Sequence, residues 1–224
     1  MHRKSLDIQI VLAPAGAEYK AVKRALKRVK AAPQLVAIPA GPQGVKQFLE
    51  AQKEQLSGKR ILLMGLGGSL SPKYAVGDGV AIAHIWNSFG IEEKFECDRT
   101  LTTQISQQLG IAIGDGVTCD RVITTAVEKE RLGDRYSADV VDMEGAALLS
   151  ELPEAAVAIL RVVSDDCGGD LPDISGAIAE DGSLQPMQIA LSFIRSPLAA
   201  MRLISGSLKG LKALEDLTFN LFQD

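Results

Sequence analysis

Aromatic rings are scarce in this chain: one Trp, three Tyr and six Phe among 224 residues, or 4%. With so few stacking platforms, binding of single-stranded nucleic acid is excluded as the main task. Histidine is scarcer still, with only His2 near the start and His84 within the body. Two histidines cannot supply a His-rich metal centre or most His-based nucleophilic triads, and no metal site is expected. Three cysteines, Cys97, Cys119 and Cys167, show no CxxC spacing. Their odd number fits a reducing cytoplasm rather than a disulfide framework, so a cytoplasmic location is expected. No apolar run reaches the roughly 18 residues of a membrane span. Asp7 and Gln9 interrupt the apolar stretch behind the basic start, which argues against a signal peptide. An excess of positive charge is also missing. Lys and Arg total 24 against 28 Asp and Glu, a net charge of −4, so no nucleic-acid partner is expected.

What remains is an ordinary globular balance, 46% hydrophobic and 23% charged, with 21 glycines and a core of aliphatic side chains. Short β-rich runs (8–12, 35–38, 60–64, 80–83, 138–143 and 156–163, with weaker ones near Val117 and Val122) alternate with helical patterns (17–30, 44–56, 100–109 and 144–152). This alternation predicts an α/β protein: three layers, α/β/α, around a central mixed, largely parallel sheet. No repeat or long linker interrupts it, so residues 1–224 read as a single domain. Residues 168–185 are loop-like. Amphipathic helical segments follow over about 186–222, expected to be split at Ser196-Pro197 and at Gly206 and Gly210.

Ligands of such sheets bind beyond the carboxyl ends of the strands. Four groups of polar residues fall there: Glu18 after the first strand, Gly67-Gly68-Ser69 after the third, Glu144 after Asp142-Met143, and Asp165-Asp166 after Ser164. Carboxylates from three distant segments meeting on one rim suit acid–base work on a small polar substrate. A lone carboxylate at a helix start could equally serve the helix dipole, and it is the convergence that points to a site. The glycine segment lacks Gly-Lys-Ser/Thr and runs into a turn-rich connection, not a helix, so no nucleotide cofactor is expected. No Gly-x-Ser-x-Gly elbow is present. His84, flanked by apolar residues, reads as a structural histidine.

Val141-Asp142-Met143-Glu144-Gly145-Ala146-Ala147, followed by Leu160-Arg161-Val162-Val163-Ser164-Asp165, resembles the paired signature of the nucleoside phosphorylase/nucleosidase superfamily. Gly67-Gly68-Ser69-Leu70-Ser71-Pro72 through Val76-Gly77-Asp78 resembles its central loop. The resemblance covers about residues 8–170 and is nearest to the methylthioadenosine/S-adenosylhomocysteine nucleosidase branch and the hopanoid-associated branch. It implies the nucleoside phosphorylase fold and cleavage of an N-glycosidic bond between ribose and a base. By this resemblance Glu144 binds the ribose hydroxyls, Met143 packs on the sugar, and Gly67 and Gly68 line the substrate site. Asp165 is the general acid toward the purine, kept protonated by desolvation or by Asp166. The chemistry is sound: carboxylates stabilise an oxocarbenium-like transition state, and protonation makes the base a better leaving group.

Phosphorolysis needs cations for a phosphate dianion. The arginines of the phosphorolytic branch are missing, since the first loop offers Glu18 and Leu62-Leu63-Met64 precede the glycines. Glu18 resembles the glutamate that positions the attacking water of the hydrolytic branch. That branch usually carries Ser where Leu66 stands. The expectation is a nucleosidase acting on an adenosine-type nucleoside without a cofactor. A phosphorylase, with phosphate as co-substrate, and a non-catalytic nucleoside-binding protein are the alternatives. With few rings available, aliphatic Val122 and Ile123 are expected to clamp the base. By family likeness the chain is a homo-oligomer. The C-terminal segments, basic and apolar with no acid from Ser196 to Leu214, could touch a membrane surface or pack on the sheet or a subunit partner.

Overall fold

The computed structural model describes residues 6–173 and 193–223. The element order is β1 (Ile10–Pro14), α1 (Ala17–Leu26), β2 (Gln34–Ile38), α2 (Pro42–Leu56), β3 (Arg60–Ser69), β4 (Gly79–Asn87), β5 (Glu93–Glu96), α3 (Arg99–Leu109), β6 (Ala112–Thr118), α4 (Ala126–Tyr136), β7 (Val140–Asp142), α5 (Gly145–Glu151), β8 (Ala156–Asp165) and α6 (Pro197–Phe222). The strands form one mixed sheet. β1 pairs in parallel with β2 and β3, β3 with β8, β4 with β6, and β6 with β7. β3–β7, β4–β5 and β4–β8 are antiparallel.

β3 organises this sheet. β8 runs along one of its edges, while β1 holds the start of the other edge and β7 its end, at Gly68 and Ser69. Because β8 continues to β4, β4 to β6 and β6 to β7, the strands β3-β8-β4-β6-β7 return on themselves as a closed ring. Alternation along the strands supplies two apolar faces. Leu12, Ile61, Leu63 and Ile159 face Val45 and Leu49 of α2 and Leu148 of α5. Val11, Leu62, Met64, Leu160 and Val162 face Val22 of α1, Leu101 of α3 and Leu214 of α6. The expected three-layer α/β/α architecture is therefore present.

Helix boundaries follow local chemistry. Asp98 caps α3 by accepting from Leu101 N–H at 2.8 Å, and Gly110 closes it in the left-handed conformation. Thr125 caps α4. The helix expected over 17–30 ends at Leu26.

Several expectations are corrected. The glycine segment, expected as a loop, is the second half of β3. Val122 lies in the connection after β6 and not in a strand. β5 and α4 were not anticipated, since β5 is short and charged and α4 has few apolar residues. α6 is unbroken from Pro197 to Phe222, with Gly206 and Gly210 inside it. Residues 174–192, which include parts of the expected loop and of the expected helical tail, lie outside the described residues. The two helix glycines have a packing reason. A Cβ at Gly206 would lie 2.1 Å from Ser164 O, and one at Gly210 would lie 3.0 Å from Leu66 Cδ2. Glycine costs a helix interior about 1 kcal/mol relative to alanine, and here it lets the helix backbone rest on the end of β8. Gly206→Val is accordingly expected to destabilise the protein by roughly 1–3 kcal/mol, read as a fall in Tm of several degrees by calorimetry.

Candidate active site

A cavity of about 250 Å³ opens at the carboxyl ends of β1, β3, β7 and β8. All eight residues expected from the sequence line it: Glu18, Gly67, Gly68, Val122, Ile123, Met143, Glu144 and Asp165. Gly16, at φ +102°, turns the chain from β1 into α1 in a conformation that L side chains rarely adopt, and Glu18 then falls in the first turn of α1. Glu144 stands at the amino end of α5. Asp165 is the last residue of β8.

One buried guanidinium ties the floor together. Arg161 of β8 donates through Nε to Asp142 Oδ2 at 2.9 Å and through Nη2 to Glu144 Oε2 at 3.0 Å. Gly41 N–H donates to the other Glu144 oxygen at 3.1 Å. Asp142 also accepts from Thr118 Oγ1 and from Gly145 N–H. Arg161 Nη1 has no partner among the described residues. It approaches Glu18 over Gly65, where a Cβ would lie 2.5 Å from Nη1 and 2.7 Å from Glu18 Oε1. Burial works to lower the Arg161 pKa, but the carboxylates of Asp142, Glu144 and Glu18 outweigh it and hold the guanidinium charged. Burial, opposed by Arg161, raises Glu144.

Glu18 accepts from Leu66 N–H at 2.6 Å. Enclosure of its carboxyl, and then the Glu144 charge, push its pKa from 4.5 to about 7, against the pull of Leu66 N–H and Arg161. The position that departs from the hydrolytic signature thus anchors Glu18 through its backbone N–H, which any residue but proline would provide there.

Asp165 is buried and ion-paired with Lys129 of α4, whose side chain is fully enclosed. Lys129 also donates to Asp166 O at 2.8 Å, and Ser164 Oγ donates to Asp165 Oδ1 at 2.7 Å. The Asp166 carboxylate does not hydrogen-bond Asp165. That side chain turns to Gly168 N–H, and the neighbour of Asp165 is a cation. Gly68 is required here, since a Cβ would lie 2.9 Å from Asp165 Oδ2.

The walls are aliphatic: Leu66, Val122, Ile123, Val141, Leu171 and Leu203. Among the described residues no aromatic ring lines the cavity, and Trp86 instead packs on Tyr136 at 5.7 Å between centroids. His84 lies outside it, with Nδ1 2.9 Å from Asp115 Oδ1, as a structural histidine should. Burial pushes the Cys97 and Cys119 thiols to about 12 and about 11, so neither is poised as a nucleophile. Among the described residues no cluster of His, Cys, Asp and Glu is arranged to hold a metal.

Sequence reasoning assigned no role to Arg161, Asp142, Lys129 or Ser164. Arg161, Asp142 and Ser164 sit inside the quoted signatures. Lys129 had one available signal: it shares the α4 face of Leu132, Gly133 and Tyr136, an unusual place for a lysine.

Two measurements test these electrostatics. Unfolded Glu18 releases its proton near 4.5 and folded Glu18 near 7, so folding stability falls as pH rises between those values and stays lower above them. Glu18→Gln removes this loss, so its Tm relative to wild type is expected to be higher at about pH 8 than at about pH 5. A gap independent of pH would refute the shift. Lys129→Met strands a buried carboxylate and is expected to cost roughly 3–5 kcal/mol, much of it recovered in the double variant with Asp165→Asn, as a double-mutant cycle would measure.

Comparison with known proteins bears on the fold and the family. The phosphorylase superfamily matches residues 35–195. A search of curated proteins finds no significant match. Among solved structures, futalosine hydrolase of Helicobacter pylori superposes with a TM-score of 0.69 at 12% identity, covering 96% of this chain and 97% of that one. The 5'-methylthioadenosine/S-adenosylhomocysteine nucleosidase of H. pylori gives 0.64 at 15%, covering 94% and 97%. The corresponding nucleosidase of Campylobacter jejuni gives 0.59 at 19%, covering 93% and 99%. These likenesses carry the fold, and the match over most of the chain carries the family: this protein belongs to the phosphorylase superfamily.

Proposed function

We propose that the protein is a nucleosidase that hydrolyses the N-glycosidic bond of an adenosine-type nucleoside. The carrying observation is the convergence of Glu18, Glu144 and Asp165 on one small cavity, with the Glu18 pKa near 7. A carboxyl group with that pKa is suited to general-base work at neutral pH. The solved structures of similar fold named as nucleosidases and as futalosine hydrolase support the reaction class.

Water held by Glu18 in the cavity forms a bond to the anomeric carbon and passes a proton to Glu18. The C–N bond breaks, and its electron pair leaves with the base, which is protonated through Asp165. The Lys129–Asp165 pair, joined by a hydrogen bond at the edge of the cavity, is the source of that proton. Glu144, fixed by Arg161 and Gly41, binds the ribose hydroxyls and faces the developing positive charge. Met143 packs on the sugar, Gly67 and Gly68 leave room for it, and Val122 and Ile123 contact the base.

Charge disfavours phosphate as the nucleophile. The cavity floor carries Glu18, Asp142 and Glu144, and the Arg161 charge is committed to two of these carboxylates. Arg121 at the rim is paired with Glu128. The enzyme on this reading needs no cofactor and works as a cytoplasmic homo-oligomer.

The test is release of free adenine from a panel of adenosine derivatives, with and without inorganic phosphate. Free ribosyl product is expected, unaffected by phosphate. Asp165→Asn and Glu18→Gln are each expected to lower turnover by about 10²–10⁴. In the wild type, activity is expected to rise as pH passes up through about 7, as Glu18 becomes the carboxylate, and Glu18→Gln should lack this limb. Ribose 1-phosphate formed only with phosphate would establish the phosphorylase instead. Binding without turnover in all three proteins would establish a nucleoside-binding protein.

A further inference from the structure

α6 has two sides with opposite tasks. Its inner side carries Ala200, Gly206, Gly210 and Leu214, all buried against the sheet. Its outer side over the first three turns is apolar and uncovered: Leu198 is 80% exposed, Met201 65%, Ile204 46% and Leu208 64%. At 3.6 residues per turn these four fall within an arc of roughly 120°. Ile194, just before the helix, is 76% exposed as well. Isolated exposed apolar residues are ordinary, but a continuous ridge on one helix is not.

Positive charge borders the ridge. Exposed Arg202 and Lys209 follow one margin, with exposed Arg195 just before the helix. At its far end the ridge enters a groove between α1 and α6 lined by Lys20, Leu208, Leu211 and Lys212, with Arg24 of α1 ion-paired to Glu215 across its floor, so that exposed Lys20 is the cation α1 adds to the margin. No Asp or Glu occurs from Pro197 to Leu214, although the chain as a whole has a net charge of −4. We propose that this face of α6, together with the basic bank of α1, docks on an anionic lipid surface. Apolar side chains enter the boundary between headgroups and acyl chains while the cations meet lipid phosphates. A second copy seated on the ridge would bring only further cations along residues 197–214, which makes the self-contact the poorer occupant. Among the described residues no helix is long and apolar enough to cross a membrane, so the contact is peripheral. Leu203, on the same helix, lines the cavity. Docking therefore brings the cavity to within about the 10–12 Å width of one helix of the lipid surface.

The experiment is co-sedimentation of the full chain with vesicles of phosphatidylcholine alone and with about 30% phosphatidylglycerol added, chosen so that anionic surface charge is the variable. Partitioning onto the anionic vesicles is expected to be at least roughly tenfold stronger and to weaken as salt is raised. The double variant Leu198→Gln/Leu208→Gln and the charge variant Arg195→Glu/Lys20→Glu should each lose that preference while keeping wild-type adenine release. The charge variant leaves the apolar ridge intact and serves as the readout if the first pair folds poorly. Equal or absent partitioning onto the two vesicle types would overturn the proposal. So would a concentration-dependent dimer, seen by light scattering, that Leu198→Gln/Leu208→Gln disperses. Adenine release is measured separately, so failure of docking leaves the nucleosidase reading untouched, and the converse holds.

Discussion

The buried guanidinium of Arg161 is the constraint around which the site is arranged. A charge removed from water is costly unless paired, and breaking such a pair leaves a worse state than never having made it. Arg161 satisfies this with Asp142 and Glu144, two carboxylates from the β7–α5 junction. Those carboxylates then need donors of their own, which come from Thr118 at the end of β6, from Gly145 N–H and from Gly41 N–H. One ion cluster thereby links β6, β7, β8 and the segment after β2. The ring of strands closes over it, and the orientation of Glu144 is settled before any substrate arrives.

That cluster explains why half of β3 is glycine-rich. Beside Arg161, Glu18 and Asp165 the strand has no space for a side chain at two of its positions. At Gly65 a Cβ would collide with Arg161 and Glu18, and at Gly68 with Asp165. Glycine weakens a strand interior, but here it admits three charged groups to within contact of one backbone. β3 also bulges between Gly67 and Gly68, where its register with β8 shifts. The same economy recurs on α6, whose glycines admit the helix to the end of β8 and so carry Leu203 to the cavity wall.

Most of the fold was legible in sequence because the strands of the core are aliphatic and the helices between them are amphipathic. What escaped has a physical explanation in each case. β5 is short and charged, and pairs only at the edge of β4. α4 presents few apolar residues, because one of its two buried positions is Lys129. The glycines of β3 read as a loop because close approach and chain flexibility call for the same residue. All eight predicted site residues do line the cavity: Glu18, Glu144, Asp165 and the glycines were located by their places after strands, Met143 by the family resemblance, and Val122 and Ile123 by the shortage of rings. Their partners could not be located in this way. That Arg161 points inward, that Lys129 rather than Asp166 meets Asp165, and that Leu66 contributes its N–H are facts of packing between distant segments.

The shortage of aromatic residues bears on specificity. A cavity walled by Leu66, Val122, Ile123, Val141, Leu171 and Leu203 would grip the flat base of the proposed substrate by dispersion and by exclusion of water, without the directional preference of stacked rings. An apolar pocket of this kind separates ligands that differ by one methylene by only about 1–3 kcal/mol. Polar groups discriminate more sharply, and here they are gathered at the sugar end, where Glu144 and Glu18 stand, and at Asp165. On the proposed nucleosidase reading, recognition is strongest at the ribose and at the protonated position of the base, and permissive along the aliphatic wall. The same proposal makes the charged cluster the part that specifies the chemistry at the glycosidic bond, and leaves the rest of the ligand to the shape of the aliphatic wall.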